Sequence, residues 1–264
     1  MPSQYHGKFI WCELMTTDMA AARAFYSAVV GWEASSMPMP GVEGAEYGIF
    51  GIKVGERDRG VAGMMVIPPE MAGQMPPNWT GYVAVDDVDA TAKAFAEAGG
   101  AVRRPPQDIP DIGRFAVVAD PHGAVICIMT PAPMDTPPPE VAPGTPGLVG
   151  WHELYAGNGE EALSFYGAMF GWVKHHEFDM GPMGKYLIFA HQGEAVGGMM
   201  TRPPQVPVAC WSNYFSVPSV EAALATIQAR GGSVVHGPQE VPGDSVILQA
   251  IDPQGAHFAL VGPK

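Results

Sequence analysis

Basic residues are scarce. Fourteen Lys and Arg stand against twenty-seven Asp and Glu, a formal net charge of −13, and the cations form no cluster. Such a chain repels phosphate backbones and anionic bilayers, so neither nucleic acid nor membrane is expected as a partner. Cysteine is sparse too. Cys12, Cys127 and Cys210 are an odd number without a Cys-x-x-Cys pair, so reduced, buried thiols are expected in place of a disulfide framework. No apolar run reaches the ~18 residues of a membrane span, and no apolar signal core follows a basic start at the N-terminus. The expected setting is the cytoplasm. Neither a Ser-His-Asp spacing nor a phosphate loop is visible. What remains, at 264 residues with 47% hydrophobic and 16% charged, is a globular chain long enough for one large or two ordinary domains.

What the chain does have is a repeat. Phe9-Ile10-Trp11-Cys12-Glu13-Leu14, Phe25-Tyr26 and Gly31-Trp32 return as Val149-Gly150-Trp151-His152-Glu153-Leu154, Phe165-Tyr166 and Gly171-Trp172 at a constant offset of 140. Later landmarks match at 132: Trp79 with Trp211, Tyr82 with Tyr214, Gly99 with Gly231, Asp120-Pro121 with Asp252-Pro253. The chain is therefore a tandem duplication that has lost eight loop residues in the second copy. Between the copies, Pro131 to Gly147 holds seven prolines and little apolar bulk, a semi-rigid linker. The expected division is 1–130, linker 131–147, and 148–264.

Within the first copy, 9–15 reads as a strand and Asp18 as the cap of a helix over 19–29. Strands follow at 47–52 and 61–67. A second unit opens with a strand at 79–85, has a helix capped by Asp86 or Asp87 and ending at Gly99-Gly100, and continues with a strand at 115–119. The turn Asp120-Pro121-His122-Gly123 leads into the closing strand 125–129. The second copy repeats this with strand 148–155, Asn158 capping a helix with Glu161 three residues on, and a stop at Gly171. Strands at 186–190, 196–201 and 211–217 follow, then a helix capped by Ser219, and strands at 246–250 and 256–261.

This ordered set, seen twice, resembles the vicinal oxygen chelate superfamily, which includes glyoxalases, bleomycin-resistance proteins and extradiol dioxygenases. The carriers are the strand before Asp18, Phe25-Tyr26 with Gly31-Trp32, Val85-Asp86-Asp87-Val88, Gly99-Gly100, and Asp120-Pro121-x-Gly123. The resemblance implies an α+β fold of four βαβββ units forming two eight-stranded open cups. The units pair either within a repeat or across the linker. Metal-using members hold a divalent cation in the cup on inward-facing His, Gln and Glu. The matching positions here are Trp11 and Trp151, Gly81 and Asn213, Cys127 and Ala259, with the remaining ligand expected on 61–67 or 196–201, where no carboxylate stands. The expectation is thus a chain with no metal and no other cofactor.

Alternation along strands gives residues two apart a shared face. If Trp11 faces a cup, Glu13 does as well, and likewise Trp151 with Glu153. Trp79 would share a face with Gly81, Trp211 with Asn213, Val125 with Cys127, and His257 with Ala259. The expected ligand-binding residues are Trp11, Trp79, Cys127, Trp151, Trp211 and Asn213. Glu13, Glu153 and His257 are the expected catalytic residues, because carboxylates are rarely buried without a partner and a histidine can titrate near neutrality. His122 sits in a turn, adjacent His175 and His176 point apart, and Tyr47 and Tyr186 read as core or rim aromatics. Aromatic walls with few polar groups suit a cationic or aromatic small molecule. The alternative is a lyase, isomerase or hydroxylase/dioxygenase-type enzyme using the Glu and His side chains or a non-standard metal site. With four units in one chain, a monomer or a homodimer is expected.

Overall fold

The computed structural model describes residues 3–39, 42, 44–134 and 138–263. Four α-helices mark four copies of one module: α1 (Met19–Val29), α2 (Val88–Glu97), α3 (Gly159–Phe170) and α4 (Val220–Ala229). Each begins at a short polar residue in extended conformation. Asp18, Asp87, Asn158 and Ser219 accept from the backbone N–H of Ala21, Ala90, Glu161 and Ala222. Each cap satisfies an otherwise orphaned donor, an effect of about 1 kcal/mol. Gly171 ends α3 at φ 74°, the left-handed conformation that a side chain disfavours.

Around the first two helices run β1 (Phe9–Thr16), β2 (Glu33–Pro38), β3 (Glu46–Val54), β4 (Arg57–Val66), β5 (Asn78–Ala84), β6 (Ala101–Ile109), β7 (Gly113–Ala119) and β8 (Val125–Pro131). The second copy supplies β9 (Val149–Ala156), β10 (Val173–Asp179), β11 (Lys185–His191), β12 (Glu194–Thr201), β13 (Cys210–Ser216), β14 (Ser233–Val241), β15 (Ser245–Ile251) and β16 (His257–Pro263). The hydrogen-bonded orders are β2-β3-β4-β1-β5-β8-β7-β6 and β10-β11-β12-β9-β13-β16-β15-β14, so each eight-stranded sheet draws on one repeat. Both are mixed. The β1/β4 and β5/β8 pairs are parallel, while β3/β4 and β7/β8 are antiparallel. The fold is α+β with two open sheets.

Packing divides the chain differently, into two compact units. One comprises Met1–Ile10, Thr80–Met134 and His152–Ser212; the other comprises Trp11–Trp79, Asp135–Trp151 and Asn213–Lys264. The first has its core in Val83, Phe95, Ile126, Leu154, Tyr166 and Phe189, with α2 touching α3. The second has its core in Leu14, Phe25, Tyr26, Phe50, Phe215 and Phe258, with α1 touching α4. Each core is thus built from both repeats.

A buried polar chain recurs in both. In one unit the Trp79 indole N–H donates to the Tyr26 hydroxyl at 2.9 Å, which donates to Asp252 Oδ2 at 2.9 Å. The other Asp252 oxygen accepts from the N–H groups of Gln254 and Ala256 and so shapes the turn. In the other unit Trp211 donates to Tyr166 at 3.2 Å, and Tyr166 lies 3.4 Å from Asp120 Oδ2. Burial first, and the neighbouring carboxylate second, hold both phenols well above the ordinary tyrosine range. Among the described residues, no helix is long and apolar enough to cross a membrane.

Candidate functional site

Along β1, Cys12, Leu14 and Thr16 are buried while Trp11, Glu13 and Met15 are half-buried, the period of two expected of a strand. Cys12 and Leu14 belong to the core, so Trp11 and Glu13 occupy the face turned away from it. There the Trp11 indole N–H donates to the Tyr47 hydroxyl at 3.0 Å, and that hydroxyl donates to Glu13 Oε2 at 2.8 Å. Burial and then the Glu13 charge push the Tyr47 phenol far above its usual range, so it stays a donor. The Cys12 thiol behind it is raised by the same two causes in the same order.

The second copy repeats the pair. The Tyr186 hydroxyl donates to Glu153 Oε1 at 2.9 Å, and Glu153 is buried. Cys210, half-buried on β13, is raised by burial first and by the Glu153 charge second, with Arg202 opposing. Trp151 is half-buried on β9, two residues before Glu153.

The other expected site residues lie as follows. Trp79 and Trp211 are in the hydrophobic cores, donating to Tyr26 and Tyr166, and do not line the open faces. Asn213 is buried and lies two residues from both Trp211 and Phe215, so it shares their core-directed face. Trp79 and Trp211 thus share their faces with Gly81 and Asn213 as expected, but those faces turn to the cores and not to a cup. Thr80 and Tyr82, and Ser212 and Tyr214, take the face where Gly81 and Asn213 were expected. Gln249 donates to the Tyr214 hydroxyl there at 2.6 Å. Cys127 is buried on β8, alternating with the core residues Ile126 and Ile128 and paired in register with Tyr82. His257 opens β16 exposed, opposite Ile251. Tyr47 and Tyr186, which read in the sequence as core or rim aromatics recurring 139 residues apart, are the residues that meet Glu13 and Glu153.

Among the described residues, no group of three or more His, Cys, Asp or Glu side chains is placed to hold a metal ion. At each carboxylate, the arrangement can accept a hydrogen bond or a proton from a ligand while a protonated phenol steadies it.

The chain is similar to known proteins in both sequence and fold. The family model described as Glyoxalase/Bleomycin resistance protein/Dioxygenase superfamily matches residues 8–128 and 148–260. "Putative glyoxylase CFP32" of Mycobacterium tuberculosis (strain CDC 1551 / Oshkosh) is 34% identical over 254 residues, covering 96% of this chain and 94% of that protein. "Anthracycline biosynthesis protein DnrV" of Streptomyces peucetius is 34% identical over 265 residues, covering 95% and 91%. The Mn(II)-bound glyoxalase from Novosphingobium aromaticivorans superposes with a TM-score of 0.61 at 15% identity, covering 99% of this chain and 83% of that one. The 2,3-dioxygenase LapB from Pseudomonas sp. KL28 does so with 0.62 at 14%, covering 98% and 93%. At these identities the two structures speak to the fold alone.

Proposed function

This chain belongs to the Glyoxalase/Bleomycin resistance protein/Dioxygenase superfamily, and from that premise we propose that it binds a small aromatic or cationic molecule against Glu13 and Glu153. The observation that carries the reading is the Tyr–Glu pair found once on each sheet, away from the core. A carboxylate withdrawn from water is costly unless it is partnered, and here a phenol partners it in both copies. Trp11 beside the first pair offers an aromatic surface, and the net charge of −13 draws cations. The names of the Streptomyces relatives, which place those proteins in anthracycline biosynthesis, suit an aromatic ligand.

The donors around Glu13 do not fit a resident divalent cation. A borderline cation takes about three protein N, O or S ligands, and an indole N–H carries no lone pair to give. At Glu13 the proposed chemistry therefore runs through the side chains. A second reading, an enzyme of lyase or isomerase type, is favoured by the same pair, because a carboxylate beside a protonated phenol can take a proton from a bound substrate.

Tryptophan fluorescence titrated with aromatic ammonium and planar aromatic compounds tests the first reading. Saturable quenching is expected, weakened about tenfold or more in Glu13→Gln or Glu153→Gln, equivalent to ~1.4 kcal/mol or more. No response across such a library would overturn it. For the enzyme reading, Glu153→Gln should abolish any turnover found while the fold survives; unaltered turnover removes that role.

A further inference from the structure

Tyr47 stands on β3 and Glu13 on β1, with β4 between them in the hydrogen-bonded order. Neighbouring strands lie about 4.8 Å apart, so the phenol must cross a whole strand to reach the carboxylate. At the crossing β4 presents Gly63, the register partner of Glu13. A Cβ on Gly63 would lie 1.8 Å from the Tyr47 hydroxyl oxygen, 2.5 Å from its Cζ and 2.9 Å from Trp11 Nε1. Any side chain at this position closes the passage.

The second sheet does the same thing with its own residues. Tyr186 stands on β11 and Glu153 on β9, and the intervening β12 presents Gly198, the register partner of Glu153. A Cβ there would lie 2.2 Å from both the Tyr186 hydroxyl oxygen and Cζ. The three residues recur at offsets of 140, 139 and 135. The connecting segments have changed length, and still carboxylate, phenol and glycine meet. Gly60 makes the contrast: a Cβ there would meet the Trp11 ring at 3.3 Å, tight but without a collision.

We propose that Tyr47 and Tyr186 belong to the ligand-handling machinery of the two carboxylate sites, and that Gly63 and Gly198 are the positioning residues that admit them. This rests on the reading of Glu13 and Glu153 as the ligand-facing acceptors. A hydroxyl committed to one carboxylate oxygen fixes the plane of the group and keeps its charge on the site. The class of ligand this favours is one presenting N–H or O–H donors, such as an ammonium, an amidinium or a hydroxylated ring. A ligand presenting only a carboxylate meets like charge and is refused.

The test needs no ligand, so its failure and a failure of the binding experiments are separate results. The full chain is labelled at tyrosine Cζ with carbon-13, and the Tyr47 resonance is assigned by its loss in Tyr47→Phe. The Tyr47 resonance is expected to move in Gly63→Ala, where the phenol is displaced, and in Glu13→Gln, where its charged acceptor is lost. It should move clearly less in Gly60→Ala, where the added Cβ presses on the Trp11 ring and meets neither the Tyr47 ring nor its hydroxyl. An unmoved Tyr47 signal in Gly63→Ala, or an equal move in Gly60→Ala, overturns the proposal. Should Gly63→Ala fail to fold, the double variant Tyr47→Ala/Gly63→Ala is expected to fold, because the colliding ring is gone. If the double variant is also unfolded, Gly63 serves another purpose and the assignment is wrong.

Discussion

Replacing Tyr26 by Phe removes one oxygen and breaks two buried hydrogen bonds. The Trp79 N–H loses its acceptor at 2.9 Å, and Asp252 Oδ2 loses its donor at 2.9 Å. All three side chains are buried, Tyr26 and Asp252 at 0% and 3% exposure, so water cannot replace the lost partners without opening the core. An unsatisfied buried group costs roughly 1–3 kcal/mol, more when it is charged. Asp252 keeps two backbone donors on its other oxygen, which limits the loss. The expected cost is about 3 kcal/mol. The homologous change Tyr166→Phe breaks longer contacts, 3.2 Å to Trp211 and 3.4 Å to Asp120, and should cost only about 1–2 kcal/mol, since hydrogen bonds weaken towards 3.5 Å. Urea denaturation followed by tryptophan fluorescence measures both. If Tyr26→Phe falls within ~0.5 kcal/mol of the parent, or Tyr166→Phe costs as much or more, the ordering argument fails.

Tyr26, Tyr47 and Tyr166 are all held above the ordinary phenol value in the folded chain. The unfolded state therefore loses these protons first, so the stability they contribute is intact below pH ~10 and is lost as pH rises above it. Each should cost about 1 kcal/mol between pH ~10 and ~11, or about 3 kcal/mol for the three, because the unfolded phenols are only half ionised at the lower value. Equal urea midpoints at those two pH values would contradict the assignment of buried phenols. Thiol labelling should separate the cysteines. Buried Cys12 and Cys127 should react only on unfolding, whereas half-buried Cys210 should react slowly. Because the Glu153 charge helps raise the Cys210 thiol, Glu153→Gln should speed its reaction at mildly alkaline pH; an unchanged rate would place that carboxylate elsewhere.

The helices were legible because their signals are local: a capping side chain three residues before its partner, an apolar stripe, a glycine stop. The inner strands β1, β4, β8 and β16 showed as short apolar runs bounded by turn residues, for the same reason. The outermost strands β2, β6, β10 and β14 did not. Each lies at a sheet end and is exposed along most of its length, so no apolar face marks it, and Pro105-Pro106 and Pro238 argue locally against a strand. The cup-facing side of β5 and β13 was not legible, because both faces of β5 carry apolar residues, Trp79 and Val83 on one and Tyr82 and Ala84 on the other. The meeting of Tyr47 with Glu13 was beyond reach. It depends on strand order, which brings β3, β4 and β1 side by side and which no short window of sequence contains.

The interleaving of sheets and cores bears on how such a chain is assembled. Each hydrophobic interior takes one module from before the proline-rich segment and one from after it. A ribosome that has released only the leading half has made two modules, each still waiting for its counterpart. Severed at the segment joining them, the halves would each lack half of both interiors, so neither should hold a complete core until mixed with the other.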